Sequence, residues 1–187
     1  MGTVILIHGA FGKPTDHWLE WLTKELEKEG HTIIAPQFPT LHHGGLEEWM
    51  KCFREWSGSA FANSVVVGHS LGAPFLLRLL QERKENILAA FFVAGFCSRL
   101  ELPKFDPVIE SFVKPPFDWK TIKKHCPKFV VFCSDDDPYV SMEKAEELAA
   151  NLGVKVTHIK GAGHFNTKSG YTTFPRLLAR IQEVLHG

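Results

Sequence analysis

Short apolar runs alternate along the chain with stretches of helical spacing. Residues 3–8 form a continuous run, VILI at its heart, with the length and β-branched content of a buried strand. Residues 17–29 have helical spacing, with Trp18, Leu22 and Leu26 on one stripe. Gly30 follows where a glycine ends a helix. Residues 32–35 read as a second strand, stopped by Pro36. Residues 46–56 read as a helix with Leu46, Trp49, Met50, Phe53 and Trp56 on one face. The pattern then predicts a strand at 64–68, a helix at 71–84, and strands at 87–94 and 129–133. A helix at 142–152 closed by Gly153, a strand at 154–159 and a helix at 174–185 complete it.

Several of these strands are apolar on both faces (VILI, VVV, AAFFVA, FVVF). A strand buried on both faces belongs to a parallel sheet covered by helices on each side. The regular alternation predicts an α/β protein: a mostly parallel, six-stranded, doubly wound sheet in three layers. In such sheets, sites lie at the carboxyl ends of the strands. The 187 residues are expected to form one domain. Residues 98–126 break the rhythm with four prolines. They read as a surface excursion with room for short helices, partly covering the site.

Charge changes the picture by exclusion. Lysine plus arginine equals aspartate plus glutamate, 21 each, with no long single-sign run. Nucleic acid and anionic membranes call for a basic excess, so neither is an expected partner. The apolar start ends at His8-Gly9 without a basic lead, so it reads as a strand and not a signal peptide. No apolar stretch is long enough to span a membrane, and Met1-Gly2 lacks the myristoylation pattern. Cys52, Cys97, Cys126 and Cys133 form no C-x-x-C pair and read as reduced thiols in a cytoplasmic protein.

The strand at 64–68 runs into Gly68-His69-Ser70-Leu71-Gly72, a G-x-S-x-G pattern followed by the helical run APFLLRLL. This is a nucleophile elbow: a turn too tight for side chains at its flanks, holding the serine Oγ above the sheet edge. The oxyanion donors are then the backbone N–H of Leu71 and one from Ala10 or Phe11, in the glycine-flanked loop after the first strand.

A serine hydroxyl needs a base, and the base needs an orienting acid, in the order Ser, Asp or Glu, His. After the last strand, GAGHF places His164 on a glycine-flanked loop. After the strand at 129–133 stand Asp135, Asp136 and Asp137. Pro138 fixes the chain after Asp137 and Val140 can pack on the core, which favours Asp137, with Asp136 second. The others read as solvating the loop or capping the next helix. A divalent metal on this acidic run lacks a second carboxylate cluster, and no metal or cofactor is expected. The intervals between Ser70, Asp137 and His164 leave room for the intervening elements.

The remaining histidines take bland readings. His69 points away from Ser70 at a sharp turn, and His8 helps order the oxyanion loop. The pair His42-His43 lacks a third metal ligand. His17, His31, His125, His158 and His186 read as ordinary polar positions.

The segments ILIHGAFGKPTDHWLEWLTKEL, VVVGHSLGA, SDDDPYVS and GAGHF together resemble the small serine-hydrolase family that includes retinoblastoma-binding protein 9 and bacterial YdeN, within the α/β-hydrolase superfamily. The segment from Asp16 to Leu22 is more family-specific than the elbow. The resemblance implies a compact α/β-hydrolase fold with a minimal cap and the triad Ser70, Asp137, His164, the aspartate being the one before proline. Retinoblastoma binding through L-x-C-x-E is not carried over, because no cysteine here has that context.

The expected activity is hydrolysis of small carboxylic esters, amides or thioesters through an acyl-enzyme. Phe11, Leu41, Phe96, Phe112, Phe117 and Trp119 are candidates for an acyl pocket. The competing readings are an idle hydrolase fold serving as a protein-interaction module, and an acyltransferase or perhydrolase on the same triad.

Overall fold

The computed structural model describes residues 1–40 and 45–187. Among them six strands form one sheet: β1 (Thr3–Ile7), β2 (Thr32–Ile34), β3 (Ser64–His69), β4 (Ala89–Val93), β5 (Phe129–Ser134) and β6 (Val156–Ile159). Seven helices join and flank them: α1 (Leu19–Lys28), α2 (Leu46–Ser57), α3 (Gly72–Glu82), α4 (Asp106–Val113), α5 (Trp119–His125), α6 (Met142–Leu152) and α7 (Pro175–Leu185). The strand order is β2-β1-β3-β4-β5-β6, and every pair is parallel.

Alternation along the strands sorts the core into two layers. Ile5, Ile7, Val66, Phe92 and Val131 face a cluster with Trp49 and Phe53 of α2, Phe75 of α3, Ile122 of α5 and Leu148 of α6. Val4, Leu6, Val67, Phe91 and Phe132 face the other cluster, with Leu22 and Leu26 of α1 and Leu177 and Ile181 of α7. Each fully buried Val, Leu or Phe of these layers stabilises the fold by about 1.5–3 kcal/mol. The chain leaves β1 toward β2 on one side and returns past β1 to β3 on the other. This reversal opens a crevice at the carboxyl ends of β1 and β3.

Local signals explain the element ends. Gly153, at φ 80°, closes α6, with Val154 N–H donating to Ala149 O at 2.9 Å. Asp118 caps α5 by accepting from Lys120 N–H and Thr121 N–H. The first helix begins at Leu19, two residues later than its spacing predicts, because His17 sits at φ 58°, outside helical space. The final strand begins at Val156 and not at residue 154.

Residues 98–126 divide into two parts. Leu100, Phe105 and Ile109 border the cavity at the crevice. By contrast α5, with Ile122 and His125 buried, packs beside α3 and α6 as the crossover helix between β4 and β5. Buried Arg78 of α3 moors the junction: its Nε–H donates to Phe112 O at 2.9 Å, a second N–H donates to Pro115 O, and the guanidinium lies 4.0 Å over the Phe117 ring.

Candidate active site

At the carboxyl end of β3 the chain turns sharply into α3. Ser70 occupies the turn at φ 52°, a conformation uncommon outside glycine. It is pinned by Ser70 N–H donating to Val93 O and Ala73 N–H donating to Ser70 O, both at 2.9 Å. The flanking glycines are steric requirements. A Cβ on Gly68 would stand 2.5 Å from Gly72 O, and one on Gly72 would stand 2.5 Å from Ile7 O.

The loops after β5 and β6 are laced by consecutive side chains. Asp135 accepts from Gly161 N–H (2.8 Å), Ser134 Oγ from Ala162 N–H (2.9 Å) and Asp136 from Gly163 N–H (2.7 Å). The last rung joins Asp137 to the ring of His164, Nδ1 to Oδ2 at 2.8 Å. Asp135 and Asp136 therefore hold the histidine loop, where the sequence suggested solvation or capping. The Ser134 hydroxyl (2.6 Å) and the Gly163 N–H hold the Asp136 carboxyl below the usual carboxylate range. Facing a carboxylate, His164 Nδ1 is the protonated nitrogen, which leaves the Nε2 lone pair free.

Three other histidines support this arrangement. His69 is buried, and its Nε2–H donates to His164 O at 2.9 Å. Burial, with His164 adjacent, holds its pKa well below the ordinary value. His8 donates from Nδ1 to Gly9 O (2.8 Å) and accepts Phe38 N–H at Nε2 (3.0 Å). It thereby ties the loop after β1 to the chain after β2, and burial lowers its pKa. His17 accepts Thr167 N–H at Nδ1 (3.2 Å), which places the proton of its neutral ring on Nε2.

A cavity of about 260 Å³ opens over the elbow, lined by Ser70, His164, Leu71, Ala10, His17, Tyr139 and Asn166 together with a group of apolar side chains. Phe11 and Phe96 are among the latter, with Leu100, Phe105 and Ile109. Phe112 does not reach the cavity: it is fully buried, edge-on to Trp49 at 5.2 Å. Trp119 lies against Phe117 beside a separate surface groove with Cys97 and Lys144. Leu41, His42 and His43 lie outside the described residues. Sequence reasoning missed His17 and Tyr139. The signal for His17 was present, since it sits inside the most family-specific segment.

One group of three metal-type ligands meets among the described residues, away from this cavity. The ligand atoms of Glu29, His31 and His186 lie within 4.8 Å of one another. Gly2 N–H donates to His31 Nδ1 at 3.1 Å, so the neutral ring carries its proton on Nε2, the atom 3.7 Å from Glu29. A protonated nitrogen offers no lone pair to a cation, and the set does not fit a metal site.

Among the described residues no helix is long and apolar enough to cross a membrane. The serine hydrolase family model matches residues 4–183, and the chain belongs to that family. It is 28% identical to the hydrolase YdeN of Bacillus subtilis over 174 residues, covering 92% of this chain and 90% of YdeN. It is 26% identical to the serine hydrolase RBBP9 of Rattus norvegicus over 172 residues, covering 91% and 88%. The crystal structure of the B. subtilis ydeN gene product superimposes with a TM-score of 0.92 at 26% identity, over the whole of both chains. The fold is that of the α/β hydrolases.

Proposed function

We propose that Ser70, His164 and Asp137 act as nucleophile, base and orienting acid in the hydrolysis of small carboxylic esters, and by the same steps of amides or thioesters. The observation that carries this reading is the Asp137–His164 pair at 2.8 Å, whose His164 lines the same cavity as Ser70. Ser70 Oγ attacks the acyl carbon as its proton passes to His164 Nε2. The N–H of Leu71, with that of Ala10 or Phe11, stabilises the oxyanion. The bond to the leaving group breaks, His164 protonates that group, and an acyl-serine remains. Water, deprotonated by His164, then releases the acid and restores the hydroxyl. The apolar walls favour a small apolar acyl group. The four unpaired thiols suit a reducing compartment such as the cytoplasm.

The test is labelling by a fluorophosphonate, read by intact mass, on the wild type, Ser70→Ala and His164→Ala. Stoichiometric labelling that is lost in Ser70→Ala and slowed in His164→Ala supports the reading. A folded wild type that does not label would refute it and favour a non-catalytic interaction role.

A further inference from the structure

Beside the apolar cavity lies a second recess of about 60 Å³. Gly9, Gly12, Asp16 and His17 contribute to its wall. It meets the larger cavity at Ala10, His17, Ser70 and His164. A bond broken at Ser70 has two ends, an acyl group and a leaving group, and two cavities meet there, the larger more apolar and the smaller more polar. The larger suits an apolar acyl chain. The recess holds about two water volumes, room for two or three heavy atoms, and polar groups line it.

Two of those groups are unspent. His17 Nδ1 is occupied by Thr167 N–H, so Nε2–H is a donor, and it has no hydrogen-bond partner among the described residues. Asp16 Oδ2 accepts Lys13 N–H at 2.8 Å, and its Oδ1 has no partner among the described residues. An N–H donor and a carboxylate acceptor on adjacent residues match a hydroxyl group, which accepts from one and donates to the other.

The backbone gives an independent indication. His17 is held at φ 58° by its neighbours: Leu19 N–H donates to Asp16 O at 3.0 Å, and the Trp18 indole N–H donates to Phe165 O at 3.0 Å. Strain of this kind persists where the surroundings enforce it, and it gathers at functional sites. Here it keeps the imidazole beside Ser70 instead of in the first turn of α1.

We propose that the recess is the leaving-group subsite and that it selects esters of short hydroxylated alcohols, with His17 Nε2–H donating to the alcohol's free hydroxyl and Asp16 accepting from it. The assignment rests on the serine-hydrolase reading of Ser70. It names the alcohol that departs when the acyl–oxygen bond breaks and His164 returns its proton to the alkoxide.

The experiment compares kcat/KM for 2-hydroxyethyl hexanoate and n-propyl hexanoate, which share an acyl group and differ only in a terminal hydroxyl in place of a methyl. The wild type should favour the hydroxyethyl ester by roughly tenfold or more, because the propyl ester leaves both polar groups unpaired. His17→Asn, a residue that tolerates positive φ, and Asp16→Ala should each bring the ratio toward one. Should either variant fail to fold, the wild type decides alone. Offered equal concentrations of ethylene glycol and n-propanol as acyl acceptors, it must form more of the glycol ester. A ratio near one in fluorophosphonate-reactive wild type, turnover of neither ester, equal acceptor use, or an unchanged ratio in a folded variant overturns the subsite while leaving the reading of Ser70 standing. A wild type that fails to label removes both.

Discussion

Replacing Asp137 by asparagine changes few atoms and removes the charge that the proposed mechanism sets beside His164. The Asp137 side chain is 1% exposed and that of His164 11%, so water cannot substitute for the lost carboxylate. Asp137 Oδ1 also accepts Tyr139 N–H (2.9 Å) and Val140 N–H (3.1 Å). An asparagine would keep its oxygen on those donors and turn its amide nitrogen toward His164 Nδ1. Two donors would then face each other, and the ring would have to move its proton to Nε2, the nitrogen needed to accept from Ser70. The electrostatic loss adds to this. An imidazolium and a carboxylate with charge centres about 4 Å apart attract by about 4 kcal/mol at an effective dielectric constant near 20. That attraction exists only after His164 has taken the proton, so its loss falls on kcat. At about 1.4 kcal/mol per decade the loss is roughly a thousandfold, and the wrong tautomer extends it toward ten-thousandfold. KM should stay within about threefold, since Asp137 is not among the cavity-lining residues. The assay is steady-state hydrolysis of a hexanoate ester, with near-UV circular dichroism to verify folding. A loss in kcat below tenfold in folded protein would refute the assignment, as would an equal loss in Asp136→Asn.

Two further outcomes follow from the same geometry. Burial lowers the pKa values of His8 and His69 from 6.5, so unfolding takes up protons there. The stability they confer is complete above pH 6.5 and is lost as pH falls from there toward the folded values, at up to about 1.4 kcal/mol per pH unit for each proton. Urea unfolding at about pH 7.5, 6 and 5 reads the slope, and a flat profile would show that the two rings are not held neutral. In Gly72→Ala the new Cβ would meet Ile7 O at 2.5 Å, forcing α3 away from β1. Thermal unfolding should show a loss of about 1–3 kcal/mol, and a loss under ~0.5 kcal/mol would mean that strand and helix part freely.

Where local chemistry and tertiary packing agree, the sequence alone was legible. The helix Met142–Leu152 has the predicted bounds because Gly153 ends it at positive φ. The strands were readable because burial on both faces leaves them unbroken apolar runs, as in β3 and β4. The first helix misled because Trp18 shares the helical stripe but spends its indole N–H on Phe165 O, a partner far along the chain. In residues 98–126 the four prolines mask the Asp118 cap that starts α5, so the pattern there reads as one excursion. Among the acyl-pocket candidates, Phe11 and Phe96 line the cavity whereas Phe112 is core. An aromatic side chain between loops carries no local sign of which way it faces. The roles of Asp135 and Asp136 were illegible for a related reason: their partners are backbone N–H groups of a loop one helix and one strand away.

Those long-range bonds share an endpoint. The loop after β6 receives Ser134 from the end of β5 and Asp135, Asp136 and Asp137 from the loop that follows. Its His164 carbonyl accepts from His69, next to Ser70 at the end of β3. Its Phe165 carbonyl accepts from Trp18, and its Thr167 N–H donates to His17, both after β1. Segments at the carboxyl ends of three different strands are thus fastened to one seven-residue stretch, 161–167. The loop that carries His164 is therefore held at both ends and along its length by groups that are themselves anchored on sheet strands. The proposed catalysis would need side chains held within about 0.5 Å by the groups around them. Rigid fastening supplies that directly, and it explains why neutral, hydrogen-bonded histidines, each committed to one tautomer, recur around Ser70. In the proposed mechanism a protonated His69 would repel the imidazolium formed on His164, whereas a neutral one keeps its hydrogen bond to the His164 carbonyl without that repulsion. Burial keeps His69 neutral, and so the packing of this loop and the electrostatics of the site are the same feature of the fold.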